Sequence, residues 1–227
     1  MLGDALDRVL YFIGDSHVMT PFAGVEAGLF KPYACRVEQV GGATAVGLRH
    51  PFSQTQALPI FQERLTPLDP QVTPVFQLGE VDCGFVIWVR AQRHGESVLE
   101  QLDASLEAYQ GFLLWARNFG YRDVVVSSAT LPTIRDGQLE GEVSHLRHEV
   151  KASQRDRTDL TLEYNLRLGA FCAAAGFRFA DLTPHLLDPS TQLLAERFRH
   201  PNPLDHHLNP DEAAPVWASV VLEALRH

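Results

Sequence analysis

The feature that most constrains this chain is the alternation of short apolar runs with longer stretches of helical periodicity. Val9-Leu10-Tyr11-Phe12-Ile13 is aromatic and β-branched on successive positions and stops at Gly14, which reads as a buried strand. Further strands are expected at Cys35–Val40, ended by Gly41-Gly42, at Thr73–Leu78, ended by Gly79, at Asp123–Ser127 and at Phe177–Ala180. Runs that are apolar on consecutive residues suit a parallel sheet covered on both faces rather than a half-exposed one. Between them lie helices. Val98, Leu102, Leu106, Tyr109 and Leu113 repeat at spacings of three and four, which places a helix over Ser97–Asn118 with Gly120 as its stop. Leu160–Ala175, followed by Gly176, and Asp211–Leu225 read the same way. A weaker helix is expected over Ser53–Leu65, where Pro59 would interrupt it. Strand–helix alternation of this kind implies an α/β fold with right-handed crossovers.

Length and charge narrow the partners. The 227 residues suit one domain spanning 1–227, and neither a repeat nor a linker divides them. The formal net charge is −9, which disfavours broad phosphate-driven binding to nucleic acid and adhesion to an anionic membrane. No apolar run approaches the roughly 20 residues needed to span a bilayer. The first residues lack a basic stretch followed by a long apolar one, so the expected compartment is the cytoplasm. Cys35, Cys83 and Cys172 are far apart and form no C-x-x-C pair, which fits a reducing compartment and a packed role for Cys83. Only Lys31 and Lys151 are lysines, so 17 of the 19 basic residues are arginine.

In an open parallel sheet, ligands gather beyond the carboxyl ends of the strands. Gly14-Asp15-Ser16-His17, Gly41-Gly42-Ala43-Thr44 and Gly79-Glu80-Val81-Asp82 fall at such ends, and Asp205-His206-His207-Leu208-Asn209 precedes the last helix. Ser16 is either a turn or cap residue, or a nucleophile if a base takes its proton. His207 is the natural base, with Asp205 two residues earlier to hold its tautomer. Gly41-Gly42 is either a tight turn or a place where a backbone N–H approaches a substrate oxygen. Acidic residues at a strand end, such as Glu80 and Asp82, cap, bind substrate or line solvent. Asp205, His206 and His207 are metal-ligand types, but adjacent side chains seldom converge on one ion, and His145 and His148 lack an evident third ligand. No metal and no cofactor are expected. The polar segment Arg135–Arg157 reads as a surface excursion, with a lid as the functional alternative.

Taken in order, these groups resemble the SGNH (GDSL-type) hydrolase superfamily. Gly14-Asp15-Ser16 matches the nucleophile block, with His17 where leucine is usual. Gly42 matches the second-block glycine, Gly79-Glu80-Val81-Asp82 the Gly-x-Asn-Asp block in part, and Asp205-His206-His207 the Asp-x-x-His block loosely. Asn165 and Asp181 also look like the family. The resemblance runs from Val9 to the final helix. It implies a flavodoxin-like three-layer α/β/α sandwich with a five-stranded parallel sheet, and serine-dependent hydrolysis of a carboxylic ester, for example of an O-acylated carbohydrate. By carry-over Ser16 attacks, His207 is the base and Asp205 orients it. The N–H groups of Ser16 and Gly42 receive the oxyanion. Asp15, Thr44, Glu80 and Asp82, which flank these positions, are expected to contact a small-molecule or glycan ester.

The chain departs from the pattern at two places that bear on activity. Val81 stands where the family has an asparagine donor, and loss of one such donor costs about 100- to 1,000-fold in kcat. Asp205 precedes His207 by two residues instead of three. These departures motivate the alternative of a non-catalytic carbohydrate- or nucleotide-binding module on the same fold.

Overall fold

The computed structural model describes residues 8–137 and 150–226. Five strands, β1 Val9–Gly14, β2 Ala34–Gln39, β3 Val72–Gln77, β4 Val125–Ser127 and β5 Arg178–Ala180, form one sheet in the order β2-β1-β3-β4-β5. Every pairing is parallel, with Gly14 aligned to Gln39 on one side and Gln77 on the other. This is the flavodoxin-like order expected from sequence. The chain reverses its direction of travel between β1 and β3, so the crevice of the sheet opens at their carboxyl ends.

The helices are α1 Met19–Glu26, α2 Ala57–Arg64, α3 Ile87–His94, α4 Val98–Phe119, α5 Gln154–Ala175, the single turn α6 Thr183–Leu186 and α7 Pro210–Ala224. Leu10, Phe12, Val75 and Val125 bury one sheet face against Phe30 and against Trp217 and Val221 of α7. Tyr11, Ile13, Phe76 and Val126 bury the other against Phe61, Leu106, Tyr109, Phe112 and Leu168 from α2, α4 and α5. Successive strand residues therefore feed opposite cores, which is why the runs are apolar at consecutive positions.

Several boundaries differ from the sequence expectation for identifiable reasons. Helix α5 begins six residues before Leu160, because Ser153 and Asp156 form a reciprocal capping box at a polar first turn. The excursion expected over Arg135–Arg157 is shortened accordingly; residues 138–149 within it, His145 and His148 included, lie outside the described residues. Pro59 does not interrupt α2, because it is the third residue, in the first turn, where no intrahelical amide is required. Helices α1 and α3 were not foreseen. The run from Phe85 to Val89 hides α3, since continuous apolarity carries no period. Among the described residues no helix is long and apolar enough to cross a membrane.

Candidate active site

Gly14 closes β1 where the chain has no room for a side chain: a Cβ there would lie 2.0 Å from the Gln77 carbonyl oxygen. The backbone then turns sharply. Asp15 caps the turn Ser16–Val18 by accepting the His17 amide at 2.8 Å. Ser16 is thereby left half-exposed at the mouth of the sheet, while Asp15 and His17 are buried beneath it.

The second wall is the loop after β2. The Val40 amide donates to the Gly14 carbonyl at 2.9 Å, which ties this loop to the turn that carries Ser16. Gly42 has φ +70°, a conformation that favours glycine, and lines the cleft. Beyond it, Asp82 accepts the amides of Ala45 at 2.7 Å and Val46 at 3.0 Å, and the Ser105 hydroxyl at 2.8 Å. Burial pushes the Asp82 carboxyl pKa up, and these donors pull against that shift.

The third wall is the segment before α7. Asn209 caps α7, its own amide bonds to the Phe198 carbonyl at 2.8 Å, and the Thr133 hydroxyl donates to the His206 carbonyl. Asp205 accepts the His207 amide at 2.9 Å and sits 2.6 Å from His207 Nδ1. An ionised carboxylate only accepts, so it selects the Nδ1–H tautomer and leaves the Nε2 lone pair available. Nε2 is buried and has no hydrogen-bond partner among the described residues. Burial lowers the His207 pKa and the electrostatic influence of nearby His17 adds to this, against the raising influence of Asp205. Burial works against the Asp205 carboxylate, yet the His207 amide and ring outweigh it and hold its pKa below the usual value.

Ser16, Gly42, Thr44, Val81 and His207 line one cleft of 870 Å³. The two-residue Asp205–His207 spacing is thus no obstacle, because a tight turn lets one carboxylate oxygen meet both the amide and the ring. Three sequence expectations require correction. Asp15 and Asp82 are fully buried and Glu80 is 2% exposed, and none lines the cleft. Asp15 Oδ1 accepts the His17 amide, both Asp82 oxygens accept backbone amides, and Glu80 lies 3.7 Å from His17 Nε2, so these are internal braces and not substrate contacts. Thr44 stays in the cleft, where its Oγ1 accepts the Gly47 amide at 3.0 Å and so turns its own O–H elsewhere. Val81 lines the cleft with no polar atom to offer.

Asn165 and Asp181 brace the far strand ends: Asn165 bonds both backbone groups of Ala129, and Asp181 accepts the Thr183 amide. Cys83 is fully buried, which raises its thiol pKa well above the usual value and removes it from nucleophilic chemistry.

No family model and no curated protein matches the sequence. Solved structures do match. A GDSL-like lipase from Bacteroides thetaiotaomicron superposes with TM-score 0.66 at 15% identity, covering 97% of this chain and 88% of its own. A lipase/acylhydrolase from Enterococcus faecalis gives 0.55 at 12%, covering 96% of each chain. A catalytic mutant of an acetylxylan esterase from Geobacillus stearothermophilus gives 0.53 at 12%, covering 97% and 94%. The chain has the SGNH/GDSL hydrolase fold. At these identities the likeness is one of fold, and the chemistry must be argued from the site.

On this SGNH/GDSL frame, two sets of residues were missed from sequence. His17 lies with His206 and His207, its ring centre 5.7 Å from the first and 5.0 Å from the second. Asp15–His17 repeats the Asp-x-His pattern of Asp205–His207, a signal that was legible in the sequence. The other set is Arg49, Arg90 and Arg93, which line the cleft together with His50, while among the described residues no aspartate or glutamate does. The spacing of Val86, Arg90 and Arg93 puts them on one face of a helix, but only once α3 is known to be helical.

Proposed function

We propose that this protein hydrolyses carboxylic esters through an acyl-enzyme on Ser16. The observation that carries the reading is the His207 ring: Nδ1 is held 2.6 Å from Asp205, and Nε2, without a hydrogen-bond partner among the described residues, lies beside a cleft that Ser16 also lines. In this reading His207 Nε2 takes the Ser16 proton as Oγ attacks the acyl carbon, and Asp205 stabilises the imidazolium that forms. The imidazolium returns the proton to the leaving alcohol. A water, activated by the same nitrogen, then hydrolyses the acyl-serine. The amides of Ser16 and Gly42 receive the oxyanion, and the Thr44 hydroxyl supplies the donor that Val81 lacks. That lipases and an acetylxylan esterase share the fold supports ester chemistry in general.

The cleft also supports a class of substrate. With Arg49, Arg90 and Arg93 along it and, among the described residues, no carboxylate in its lining, it favours esters that carry an anionic group, despite the chain's net charge of −9. The test is hydrolysis of small acyl esters by the wild type, Ser16→Ala and His207→Ala. Turnover abolished in both variants is the expected result. Equal rates in all three would overturn the reading, and saturable sugar binding without turnover would put a binding module in its place.

A further inference from the structure

We propose that His17, His206 and His207 form a binding site for one divalent transition-metal ion of the zinc class, and that metal binding and base action by His207 exclude one another. The second half rests on the hydrolase reading above; the first does not.

The three imidazoles converge on one point. One ring nitrogen from each histidine lies within 4.8 Å of the other two, although His17 is separated from the pair by most of the chain. Imidazoles held tetrahedrally at the zinc–nitrogen distance have ring centres about 5 Å apart. The observed separations are 5.0 Å for His17–His207, 5.7 Å for His17–His206 and 4.1 Å for His206–His207. Only the adjacent pair must open, and both of its members are only half-buried.

Two of the rings are also oriented for it. Asp15 Oδ1 is 2.8 Å from the His17 amide and 3.1 Å from its Nδ1; Asp205 Oδ1 is 2.9 Å from the His207 amide and 2.6 Å from its Nδ1. Two imidazoles from opposite ends of the chain are thus braced by the same carboxylate device. This is the outer-shell arrangement that fixes the tautomer and raises the basicity of metal-bound histidine. In both rings it directs Nε2, not Nδ1, to the ligand. Asp15, Asp205 and Glu80, the last 3.7 Å from His17 Nε2, add negative charge around the position. Three imidazoles and no thiolate suit zinc, copper or nickel better than magnesium or calcium.

Exclusion follows from lone-pair counting. His207 Nε2 has a single lone pair: donated to an ion, it is no longer there to accept the Ser16 proton. No bond is broken and nothing is oxidised, so removal of the ion restores the base.

The test is a titration of chelator-treated full-length protein with Co²⁺, read by its visible absorption. One equivalent is expected to give saturable bands, with His206→Gln and His17→Gln weakening binding. Asp15→Asn should weaken it roughly 10- to 100-fold. His206 is half-buried, so its variant reports even if replacing the buried His17 disturbs folding. No saturable bands, or equal affinity in wild type and His206→Gln, overturns the site. In parallel, one equivalent of Zn²⁺ should block labelling of Ser16 by a fluorophosphonate, and chelator should restore it. Labelling that persists in the Co²⁺-binding protein overturns the exclusion. Absence of labelling from metal-free protein counts against the hydrolase reading and leaves the cobalt result standing.

Discussion

Asp82 holds the backbone amide of Ala45 at 2.7 Å, and through that contact the helical turn Asp82–Val86, which follows β3, fixes the loop that carries Gly42. The same carboxylate takes the Val46 amide and the Ser105 hydroxyl, and it is fully buried. Asp82→Ala would strand two amides in a dry interior, where each unsatisfied group costs about 1–3 kcal/mol. The expected outcome is a denaturation midpoint lowered by an amount equivalent to about 2–5 kcal/mol. Displacement of the Gly42 amide should also reduce kcat. A midpoint equal to that of the wild type would show that Asp82 is not the anchor of this loop.

The His207 environment sets the pH dependence of the proposed reaction. Burial and the neighbouring His17 lower its pKa, and only the neutral ring can take a proton from Ser16. The acid limb of kcat/KM in metal-free protein is therefore expected below the ordinary imidazole value of about 6.5. Activity should rise with pH through that limb and then level off. Asp205→Asn removes the carboxylate that raises this pKa, so its limb should move to still lower pH while the plateau falls. A limb that moves upward in Asp205→Asn would contradict the assigned orienter.

Thr44 offers a sharper test of how the site manages without an asparagine at position 81. Its oxygen already accepts the Gly47 amide, so the hydroxyl proton is directed away from that bond. Thr44→Val keeps the shape and removes the donor. A fall in kcat of about 100-fold, with KM little changed, is expected of a group that acts on the oxyanion. Val81→Asn should raise kcat and partly rescue the Thr44→Val variant. Unchanged kcat in Thr44→Val would return the question to Ser16 and Gly42 alone.

These residues also show how much of the site could be read from sequence. The strands were legible because both sheet faces are covered, so that Leu10, Tyr11, Phe12 and Ile13 are all apolar. Ser16 and Gly42 stood out because they follow the carboxyl ends of strands, where ligands collect, and Asp205 and His207 because they precede the last helix. Asp82 was misread: sequence records an acidic side chain at a strand end, but not whether it faces water or two backbone amides. His17 was missed because it replaces an apolar residue in the nucleophile block, and only the meeting of β1 with the segment before α7 puts it beside His207. The arginines of α3 were missed because the wide helical turn Asp82–Val86 and the apolar run after it mask the helix's polar face.

Those arginines lead to the prediction about substrate. The described lining residues, Arg49 together with Arg90 and Arg93, bring three guanidinium groups to the cleft and no carboxylate, so attraction for an anionic ester should outweigh repulsion by the distant surface acids, which salt screens over roughly 8–10 Å. Among esters with the same acyl group, one bearing a carboxylate or phosphate on its alcohol should show a higher kcat/KM than its neutral analogue. The advantage should shrink as ionic strength rises. Arg49 is exposed at the rim, so Arg49→Glu tests this without disturbing the core. It should raise KM for the anionic ester and leave the neutral one nearly unchanged. If both esters respond alike to salt and to Arg49→Glu, the arginines serve the surface and not the substrate.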